Sequence, residues 1–416
     1  MRDKAMKCVI FFSNLQLWSI GDTKGAPSFH NTVKAYVDAG YRTILVNPDI
    51  EAPLLGVEHH SIKIQYVDWF KKRKLGFIAK VLSHWCATKN FIKTGEAILN
   101  NIASKEVILY AYEVGAVRAT KALSLKHSLP IVTRFQGTIL LKRKRTLINR
   151  VRFYPHFQAL GTGADIVVMT NDGSFGDIAL KNALNPTNNI LFLRNGVNDP
   201  PPLDTNIREE ILNKLDLVSG EKILVTLCRL VTWKRVDRTI HLLKDLTTRG
   251  IPCKFICVGE GEEKENLITL TGKLGLTGKV VFVGQVPRNE IYYYIDIADV
   301  FLSLNDLSNM GNPLFEALAA GKPIITLDSG DTSSVIMHNE NGVLLSESEL
   351  YKAADYAIKI FSDQEYRNKL AVNGKQWTKI NMMTWDERMA TEIFEVENSM
   401  GEIGNSTKSE EITHQV

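Results

Sequence analysis

The hydrophobic residues of this chain fall into short apolar runs, separated by stretches of helical period. Six runs before residue 197 and six after it have the length and content of buried strands: CVIFFS, RTILVNP, VILYAY, PIVTRF, IVVMT and ILFLRNG, then KILVTLC, KFICVG, VVFVG, VFLSL, PIITL and GVLL. Between them, spacings such as Val236, Ile240, Leu243 and Leu246 are typical of helices with one buried face. Apolar strands that alternate with helices predict parallel sheets covered on both faces. The pattern therefore predicts an α/β fold with two doubly wound, Rossmann-like domains that face each other across a cleft.

A Pro-rich, polar stretch from Asn195 to Asn206 separates the two sets of strands. A chain of 416 residues is also too long for one ordinary core. We predict an N-terminal domain over residues 1–197, a linker over 198–206 and a C-terminal domain over 207–375. The polar residues 401–416 are predicted to be disordered.

Charge is distributed unevenly between the two halves. Residues 1–200 hold 27 Lys and Arg against 14 Asp and Glu, whereas the remainder holds 23 against 32. Such asymmetry suggests that the halves have different partners. The five cysteines form no C-x-x-C pair, and four of them lie in strand-like runs, so we interpret them as core residues in a reducing compartment.

The N-terminal stretch MRDKAMKCVIFFSNLQLWSI resembles a signal peptide only superficially. Ser13 and Asn14 break its apolar run, and no small-residue cleavage site follows, so we predict a first strand instead. No apolar stretch approaches the length of a membrane-spanning helix. The expected location is the cytoplasm.

One short helix is predicted to begin at Asn312, a good N-cap residue, with Pro313 in the first turn. The free amides at such an end attract anions, phosphate above all. We consider two interpretations of Glu316 in this helix. It complements the helix dipole, or phosphate takes the amides of Leu314 and Phe315 while Glu316 binds the two hydroxyls of a ribose.

Two cations, Arg229 and Lys234, flank a short loop after the strand that ends near Cys228. At the carboxyl end of a parallel strand they suit a diphosphate, because Arg supplies a planar fork and Lys a point charge. A pair of solvated surface cations is the alternative interpretation, and the position in the sequence does not decide between them.

Three further loops contain small or polar residues at predicted strand ends. Gly259 and Glu260 lie in VGEGE, which contacts a nucleotide or is a tight turn. Gly25 and Ala26 precede a helix, where small residues let backbone approach a ligand. Gln136 follows PIVTRF and is either a hydrogen-bond donor to a sugar or an ordinary polar strand end.

Taken together, these motifs resemble the family 4 retaining glycosyltransferases with the GT-B fold, over roughly residues 6–395. The resemblance rests on NGVN, R-x4-K at 229–234, VGEGE, VVFVGQVPRNEIYYYIDIADVFLSL, GNPLFEALAAGKPII and ENGVLL. It implies that the C-terminal domain binds the nucleotide sugar and the N-terminal domain the acceptor. It implies that Arg229 and Lys234 hold the diphosphate, that Glu316 holds the ribose, and that a helix over 376–400 returns to the N-terminal domain.

The resemblance also extends to residues around these three. We assign donor contacts to a larger set, in which Asn309, like Asp306, is an alternative contact for the sugar: Gly25, Ala26, Gly259, Glu260, Asn309, Gly311, Asn312, Pro313 and Leu314. The sugar or acceptor side is assigned to Gln136, Asp306 and Ser308. At two of these positions the chain departs from the family, which often has His in place of Gln136 and usually Glu in place of Ser308.

We therefore predict a retaining glycosyltransferase that uses a nucleoside-diphosphate sugar and needs no metal or other cofactor. The absence of a D-x-D sequence disfavours a metal-dependent site of that kind, and no Walker A sequence occurs. Two other functions remain open: a non-catalytic nucleotide-sugar-binding or scaffold protein, and a sugar-nucleotide epimerase. The acceptor is expected to be a saccharide or a lipid-linked saccharide in surface polysaccharide or glycoconjugate synthesis.

The positive charge of the first half is clustered in two segments, Lys71–Lys74 and Lys142–Arg152, which lie beside aromatic and apolar residues. They form two solvated helix faces, or they hold the protein on an anionic membrane at the inner membrane face. Each Lys or Arg near an anionic leaflet contributes ~1 kcal/mol. No nucleic-acid recognition motif accompanies the charge, so nucleic acid is not an expected partner.

Overall fold

The computed structural model describes residues 7–15, 27–48, 54–64, 76–102, 104, 106–140, 146–218 and 220–413. Contacts between residues divide the chain into two units. The N-terminal unit comprises Met1–Asn171, Phe175–Arg194 and Trp385–Val416, and the C-terminal unit comprises Asp172–Ser174 and Asn195–Thr384. The main passage between units thus lies at Arg194, three residues before the predicted domain end.

Within the described residues, the N-terminal unit has one parallel sheet in the order β3-β2-β1-β4-β5-β6-β7. Its strands are β1 (Cys8–Ser13), β2 (Arg42–Asn47), β3 (Val57–Ser61), β4 (Val107–Tyr112), β5 (Ile131–Phe135), β6 (Ile166–Thr170) and β7 (Ile190–Leu193). Its helices are α1 (Pro27–Asp38), α2 (Gly76–Leu99), α3 (Val114–His127), α4 (Leu147–Arg152), α5 (Tyr154–Leu160) and α6 (Gly176–Asn182).

The apolar runs become strands because both faces of this sheet are covered. Every residue of β1 and of β4 is buried, which explains why these segments show no alternation of polar and apolar positions. The strand β3, VEHHS, is the exception and was not among the predicted strands. It lies at the edge of the sheet, where its partly exposed Glu and His side chains are tolerated.

The C-terminal unit has a second parallel sheet, in the order β10-β9-β8-β11-β12-β13 among the residues described. Its strands are β8 (Lys222–Leu227), β9 (Cys253–Val258), β10 (Val280–Gly284), β11 (Val300–Ser303), β12 (Ile324–Leu327) and β13 (Val343–Leu345). Its helices are α7 (Thr205–Lys214), α8 (Val236–Thr248), α9 (Lys264–Lys273), α10 (Ile291–Asp296), α11 (Asn312–Ala319), α12 (Ala353–Ser362) and α13 (Gln364–Asn381). The helix α7 begins inside the predicted linker.

The end of the chain differs from the sequence prediction, which placed one helix over 376–400 and disorder over 401–416. The structure has α13 and then a separate helix, α14 (Trp385–Thr413). Trp377 packs in the C-terminal unit, whereas Trp385 opens the helix that groups with the N-terminal unit. Once the start of α14 is anchored, each further residue adds a backbone hydrogen bond, so the helix continues to Thr413 through residues predicted to be disordered.

Several predicted residues lie outside the described part of the chain: Gly25, Ala26, Lys71–Lys74 and the basic residues of 141–145. Among the helices that are described, none combines the length and apolar character needed to cross a membrane.

Candidate active site

The predicted site residues of the C-terminal unit lie in the loops after β8, β9 and β11 and in α11, which follows the last of these loops. The three strands are neighbours in one parallel sheet. Because parallel strands end at the same edge, their loops gather at one side of the unit, where ligands of such sheets bind.

Arg229 and Lys234 share one aromatic side chain. A single turn of 3₁₀-helix, Thr232–Lys234, links β8 to α8. The guanidinium carbon of Arg229 lies 5.6 Å from the centre of the Trp233 ring, and Nζ of Lys234 lies 5.9 Å from it. Both distances are within cation–π range. The indole therefore holds two cations in one loop, an arrangement that an anionic ligand would complete.

The ammonium of Lys234 is only partly accessible, and burial lowers its pKa below the ordinary value. Cys228 opposes this shift, Arg229 adds to it, and Asp172 opposes it. An anionic ligand stabilises a cation that is desolvated and repelled by a second cation more than it stabilises a solvated lysine.

Glu316 lies in α11 with 8% of its surface exposed. Within the described residues, no hydrogen bond or ion pair reaches its carboxylate. Burial raises its pKa, and the charge of Arg288 partly offsets the effect. The Tyr292 phenol is also close enough for Glu316 to help raise its pKa, although burial is the larger cause. A buried carboxylate without a protein partner destabilises the folded protein unless a ligand supplies hydrogen-bond donors.

The start of α11 differs from the prediction by one residue. Gly311 is the N-cap and Asn312 is the first helical residue, whose Oδ1 accepts a hydrogen bond from Asn195 Nδ2 at 2.9 Å. The amide of Leu314 donates to the carbonyl of Gly311 at 3.0 Å, so one of the two amides predicted for phosphate is already engaged. Pro313 occupies the first turn, as predicted.

The side-chain oxygen and nitrogen of Asn309 both form hydrogen bonds with the protein. Its Oδ1 accepts from Ser303 Oγ at 2.8 Å and from the Asn305 amide at 2.9 Å, and its Nδ2 donates to the Leu327 carbonyl at 2.9 Å. The side chain is buried. This geometry therefore favours a structural role for Asn309 in the loop over a direct contact with the nucleotide sugar.

Asp306 and Ser308, predicted for the sugar or acceptor side, also have protein partners. Asp306 Oδ1 pairs with Arg235 at 3.3 Å and with the buried Arg238 at 2.8 Å. Ser308 Oγ donates to the carbonyl of Asp172 and accepts from the amide of Met310 at 3.1 Å. Both side chains stabilise the loop that follows β11.

Gly259 brings the loop after β9 against the loop after β8. It has φ of +135°, and a Cβ in its place would lie 1.9 Å from the carbonyl oxygen of Cys228. The amide of Leu230 donates to the Glu260 carbonyl at 2.9 Å, while the Glu260 carboxylate pairs with Lys264 at 2.5 Å. VGEGE thus supports the loop that carries Arg229. This arrangement corresponds to the second interpretation from the sequence, a tight turn.

In the N-terminal unit, Gln136 follows β5, as predicted for a strand end. Its backbone N–H donates to Oε1 of Glu113 at 2.7 Å. Glu113 lies between β4 and α3 with φ 70° and ψ 163°, a conformation that non-glycine residues rarely adopt. Sequence reasoning missed Glu113, because nothing local distinguishes it from any other glutamate after a strand.

Two further residues near Glu316, Arg288 and Tyr292, were contained in a motif that carried the family resemblance but received no role of their own. The signal in the sequence was the position of PRNEIYYY shortly after the strand β10. Within the described residues, no group of three or more His, Cys, Asp or Glu side chains could hold a metal ion.

Comparison with known proteins supports the architecture. Residues 207–377 match the family model described as Glycosyl transferases group 1. A GDP-mannose-dependent alpha-(1-6)-phosphatidylinositol monomannoside mannosyltransferase of Mycobacterium tuberculosis is 25% identical over 293 residues, which are 68% of this chain and 71% of the relative.

Two solved structures show the same fold. Sucrose-phosphate synthase from Thermosynechococcus elongatus superposes with a TM-score of 0.74 at 15% identity, covering 95% of this chain and all of that one. HepE of Anabaena, solved with UDP-glucose, gives a TM-score of 0.66 at 17% identity and covers 92% of this chain and 98% of that one. The chain therefore has the GT-B fold, and its C-terminal unit is similar to group 1 glycosyltransferases.

Proposed function

We propose that this protein is a metal-independent, retaining glycosyltransferase that moves a sugar from a nucleoside-diphosphate sugar to a saccharide or lipid-linked saccharide in surface polysaccharide or glycoconjugate synthesis. The observation that carries the proposal is the cation pair on Trp233, Arg229 and Lys234, at the carboxyl end of β8. It lies in the region matched to group 1 glycosyltransferases.

The C-terminal unit binds the donor in this proposal. Arg229 and Lys234 hold the diphosphate, and Glu316 accepts hydrogen bonds from the ribose hydroxyls, which would give its buried carboxylate the donors that the protein does not provide. One relative is named as GDP-mannose-dependent, and one similar structure was solved with UDP-glucose, so these two donors are the first to test.

In the chemical step, the bond between the anomeric carbon and the diphosphate oxygen breaks, and its electron pair stays on the diphosphate. The acceptor hydroxyl forms the new bond on the same face of the sugar, and its proton passes to the departing diphosphate. Arg229 and Lys234 stabilise the charge that develops on the leaving group. The N-terminal unit is proposed to bind the acceptor.

A peripheral membrane contact is part of the proposal. In α4, Leu147 and Ile148 are each 78% exposed and Val151 is 50% exposed, beside Arg150 and Arg152. Exposed apolar residues next to basic ones suit the surface of an anionic bilayer. This would place a cytoplasmic protein at the inner membrane face, where lipid-linked acceptors are available.

The test begins with donor binding and turnover by the purified protein, with and without Mg²⁺. Arg229→Ala and Lys234→Ala should each weaken binding of UDP or GDP. Each should also raise the activation free energy of transfer by about 3–4 kcal/mol, by analogy with the loss of an oxyanion-hole donor. Lys244→Ala, an exposed cation of α8, is the matched control. Unchanged diphosphate affinity in both site variants would refute the assignment.

Product analysis separates the proposal from its two alternatives. Transfer to an acceptor with retained configuration supports the transferase. Conversion of the donor into a stereoisomeric nucleotide sugar without an acceptor identifies an epimerase, and binding without any turnover identifies a non-catalytic protein.

A further inference from the structure

Two long segments of the N-terminal half contain no acidic residue. Residues 69–95 hold seven Lys and Arg but no Asp or Glu, and residues 114–164 hold ten Lys and Arg and again no Asp or Glu. These segments include α3, α4, α5 and most of α2, and each of these helices packs against at least one of the others. The fold thus gathers positive charge from two separate parts of the sequence into one group of helices.

Arg118 of α3 lies where three of these helices meet. Its guanidinium carbon is 5.0 Å from the centre of the Trp85 ring on α2, and its Nη1 donates to the Tyr154 hydroxyl on α5 at 2.9 Å. The Tyr154 ring in turn meets the ring of the buried His84 edge to face, with 6.5 Å between their centres. The guanidinium is therefore held by aromatic side chains from two helices.

No carboxylate pairs with Arg118 in the part of the chain that the structure describes. The neighbouring His84 carries little charge near neutral pH, because burial lowers its pKa and the charge of Arg118 lowers it further. Guanidinium groups bind phosphate oxygens through parallel hydrogen bonds, and they stack on indole rings while doing so. A guanidinium that is fixed in this way and lacks a counter-charge suits a phosphate.

Exposed apolar side chains lie on the same group of helices. Leu82 is 39% exposed and Trp85 is 49% exposed, and three residues separate them along α2, so they are neighbours on its surface. The helix α4, which packs against α5, adds Leu147, Ile148 and Val151. Indole rings favour the boundary between headgroups and acyl chains. An exposed indole beside an arginine without a counter-charge therefore fits an anionic bilayer better than a phosphate free in water.

We propose that Arg118 and Trp85 form a headgroup site for an anionic phospholipid, in which the guanidinium binds the lipid phosphate and the indole lies at the boundary of the acyl chains. The proposal rests on the membrane contact of the proposed function and deepens it, because it adds α2, α3 and α5 to the contact made by α4. The helix α3 begins directly after β4, so Arg118 lies towards the carboxyl ends of the N-terminal sheet, as Gln136 does. The lipid surface is thus held on the side of the unit where the acceptor is proposed to bind.

Fluorescence quenching in the full-length wild type tests the site without altering it. The vesicles are made of phosphatidylglycerol or of phosphatidylcholine, and both contain lipid that is brominated on its acyl chains. The chain has six tryptophans, so the signal of Trp85 is the difference between the wild type and Trp85→Phe. Phosphatidylglycerol vesicles should quench Trp85, and phosphatidylcholine vesicles should not. A Trp85 signal that phosphatidylglycerol vesicles leave unchanged would overturn the proposal.

Co-sedimentation with phosphatidylglycerol vesicles measures the contribution of Arg118. Arg118→Ala should weaken binding about fivefold or more, and Arg118→Lys should give an intermediate loss, since it keeps the charge but not the planar fork. Lys126→Ala is the matched control, because Lys126 lies at the other end of α3 and pairs with Glu96 at 2.5 Å. It should change binding little. Equal losses in Arg118→Ala and Lys126→Ala would indicate diffuse attraction and overturn the site.

Glycerol 1-phosphate, a water-soluble headgroup analogue, separates a lipid site from a site for soluble phosphate. At constant ionic strength it should not displace the wild type from phosphatidylglycerol vesicles, because it offers no apolar surface. Displacement of the wild type but not of Arg118→Ala would assign the arginine to a soluble phosphate and overturn the lipid site.

Turnover of UDP-glucose and GDP-mannose is measured in parallel, so that the two proposals fail separately. Turnover without quenching of Trp85 refutes the headgroup site and leaves the transferase. Quenching of Trp85 without any turnover supports the headgroup site and refutes the proposed transferase.

Discussion

At the scale of single residues, the candidate site contains charges that the protein itself does not satisfy. Glu316 is the clearest example, since it is buried and its pKa is raised. An acid whose pKa is higher in the folded than in the unfolded state takes up a proton on folding. Stability therefore falls as the pH rises through the unfolded and then the folded pKa, and the ionised form destabilises the free protein near neutral pH.

We predict that Glu316→Gln has opposite effects on donor use and on stability. It should weaken donor binding roughly tenfold or more, since charge-assisted hydrogen bonds to the ribose are lost. The free energy of unfolding of the ligand-free protein should rise by about 1 kcal/mol near neutral pH, because a buried charge is removed. Calorimetry and denaturation at several pH values measure both, and Ser308→Ala, which should harm donor use less, is the comparison. Greater damage from Ser308→Ala would contradict the ribose role.

A second residue-scale prediction concerns Gly259, where φ is positive and the Cys228 carbonyl occupies the place of a Cβ. Gly259→Ala should lower the free energy of unfolding by roughly 2–4 kcal/mol and reduce diphosphate binding, because the loop carrying Arg229 must move. Gly278 also has positive φ but open space around it. Gly278→Ala should therefore lose only about 1–2 kcal/mol and leave binding intact. Equal effects in denaturation experiments would show that conformation alone, and not the close approach, requires glycine at 259.

At the scale of elements, α14 is fixed to the N-terminal unit by a buried network. Arg134 pairs with Glu392 at 3.1 Å, Arg388 also pairs with Glu392, and Tyr110 donates to Glu392 at 2.5 Å. Burial alone would raise the pKa of Glu392, but the two guanidinium groups outweigh it and lower the pKa. The stability that this carboxylate contributes is thus present above its unfolded pKa and is lost as the pH falls through the folded one.

We predict that Glu392→Gln destabilises the protein by about 3–5 kcal/mol, since it leaves two buried guanidinium groups without a counter-charge. Glu397, on the same helix, pairs with Lys7 at 2.5 Å but is partly exposed. Glu397→Gln should lower the free energy of unfolding by less than about 1 kcal/mol. Urea denaturation of both variants measures the difference, and similar losses would mean that the buried network adds no particular stability to the docking of α14.

The elements also show how far the sequence predicts this molecule. Runs such as CVIFFS and VILYAY are buried on both sides, so their strands can be predicted from composition alone. In contrast, β3 is an edge strand whose stability comes from its neighbour β2, and no local pattern marks it. The site shows the same division. Arg229, Lys234 and Glu316 lie in motifs that the sequence makes recognisable, whereas Glu113 meets the backbone of Gln136 only because β4 and β5 are neighbours in the sheet.

At the scale of the whole molecule, the charge difference between the halves bears on where the protein works. The basic excess lies in the N-terminal half, and the described part of its basic segments includes α4 with its exposed apolar residues. The acidic C-terminal half would be repelled by an anionic bilayer. An anionic membrane should therefore bind the N-terminal unit rather than the C-terminal unit.

We predict that the protein co-sediments with anionic vesicles at low salt and much less at high salt, because surface attraction is screened. The double variant Arg150→Glu/Arg152→Glu should bind more weakly, whereas the control Arg249→Glu on the C-terminal unit should not. If each basic side chain near the surface contributes ~1 kcal/mol, the double charge reversal should be easily detected. Equal binding to neutral vesicles, or none at low salt, would favour an acceptor that is not presented by a membrane.

The separation of Arg134 from Glu392 along the chain, 258 residues, has a consequence for biosynthesis. At about 5–20 residues per second, the ribosome releases Arg134 roughly 10–50 s before its counter-charge exists. Throughout that interval the nascent N-terminal sheet contains a guanidinium that its finished core buries, and the intervening C-terminal unit is translated completely. We therefore expect the unit that is synthesised first to be the last to reach its final structure, and nascent chains stalled before residue 385 to expose the N-terminal sheet to proteases and chaperones.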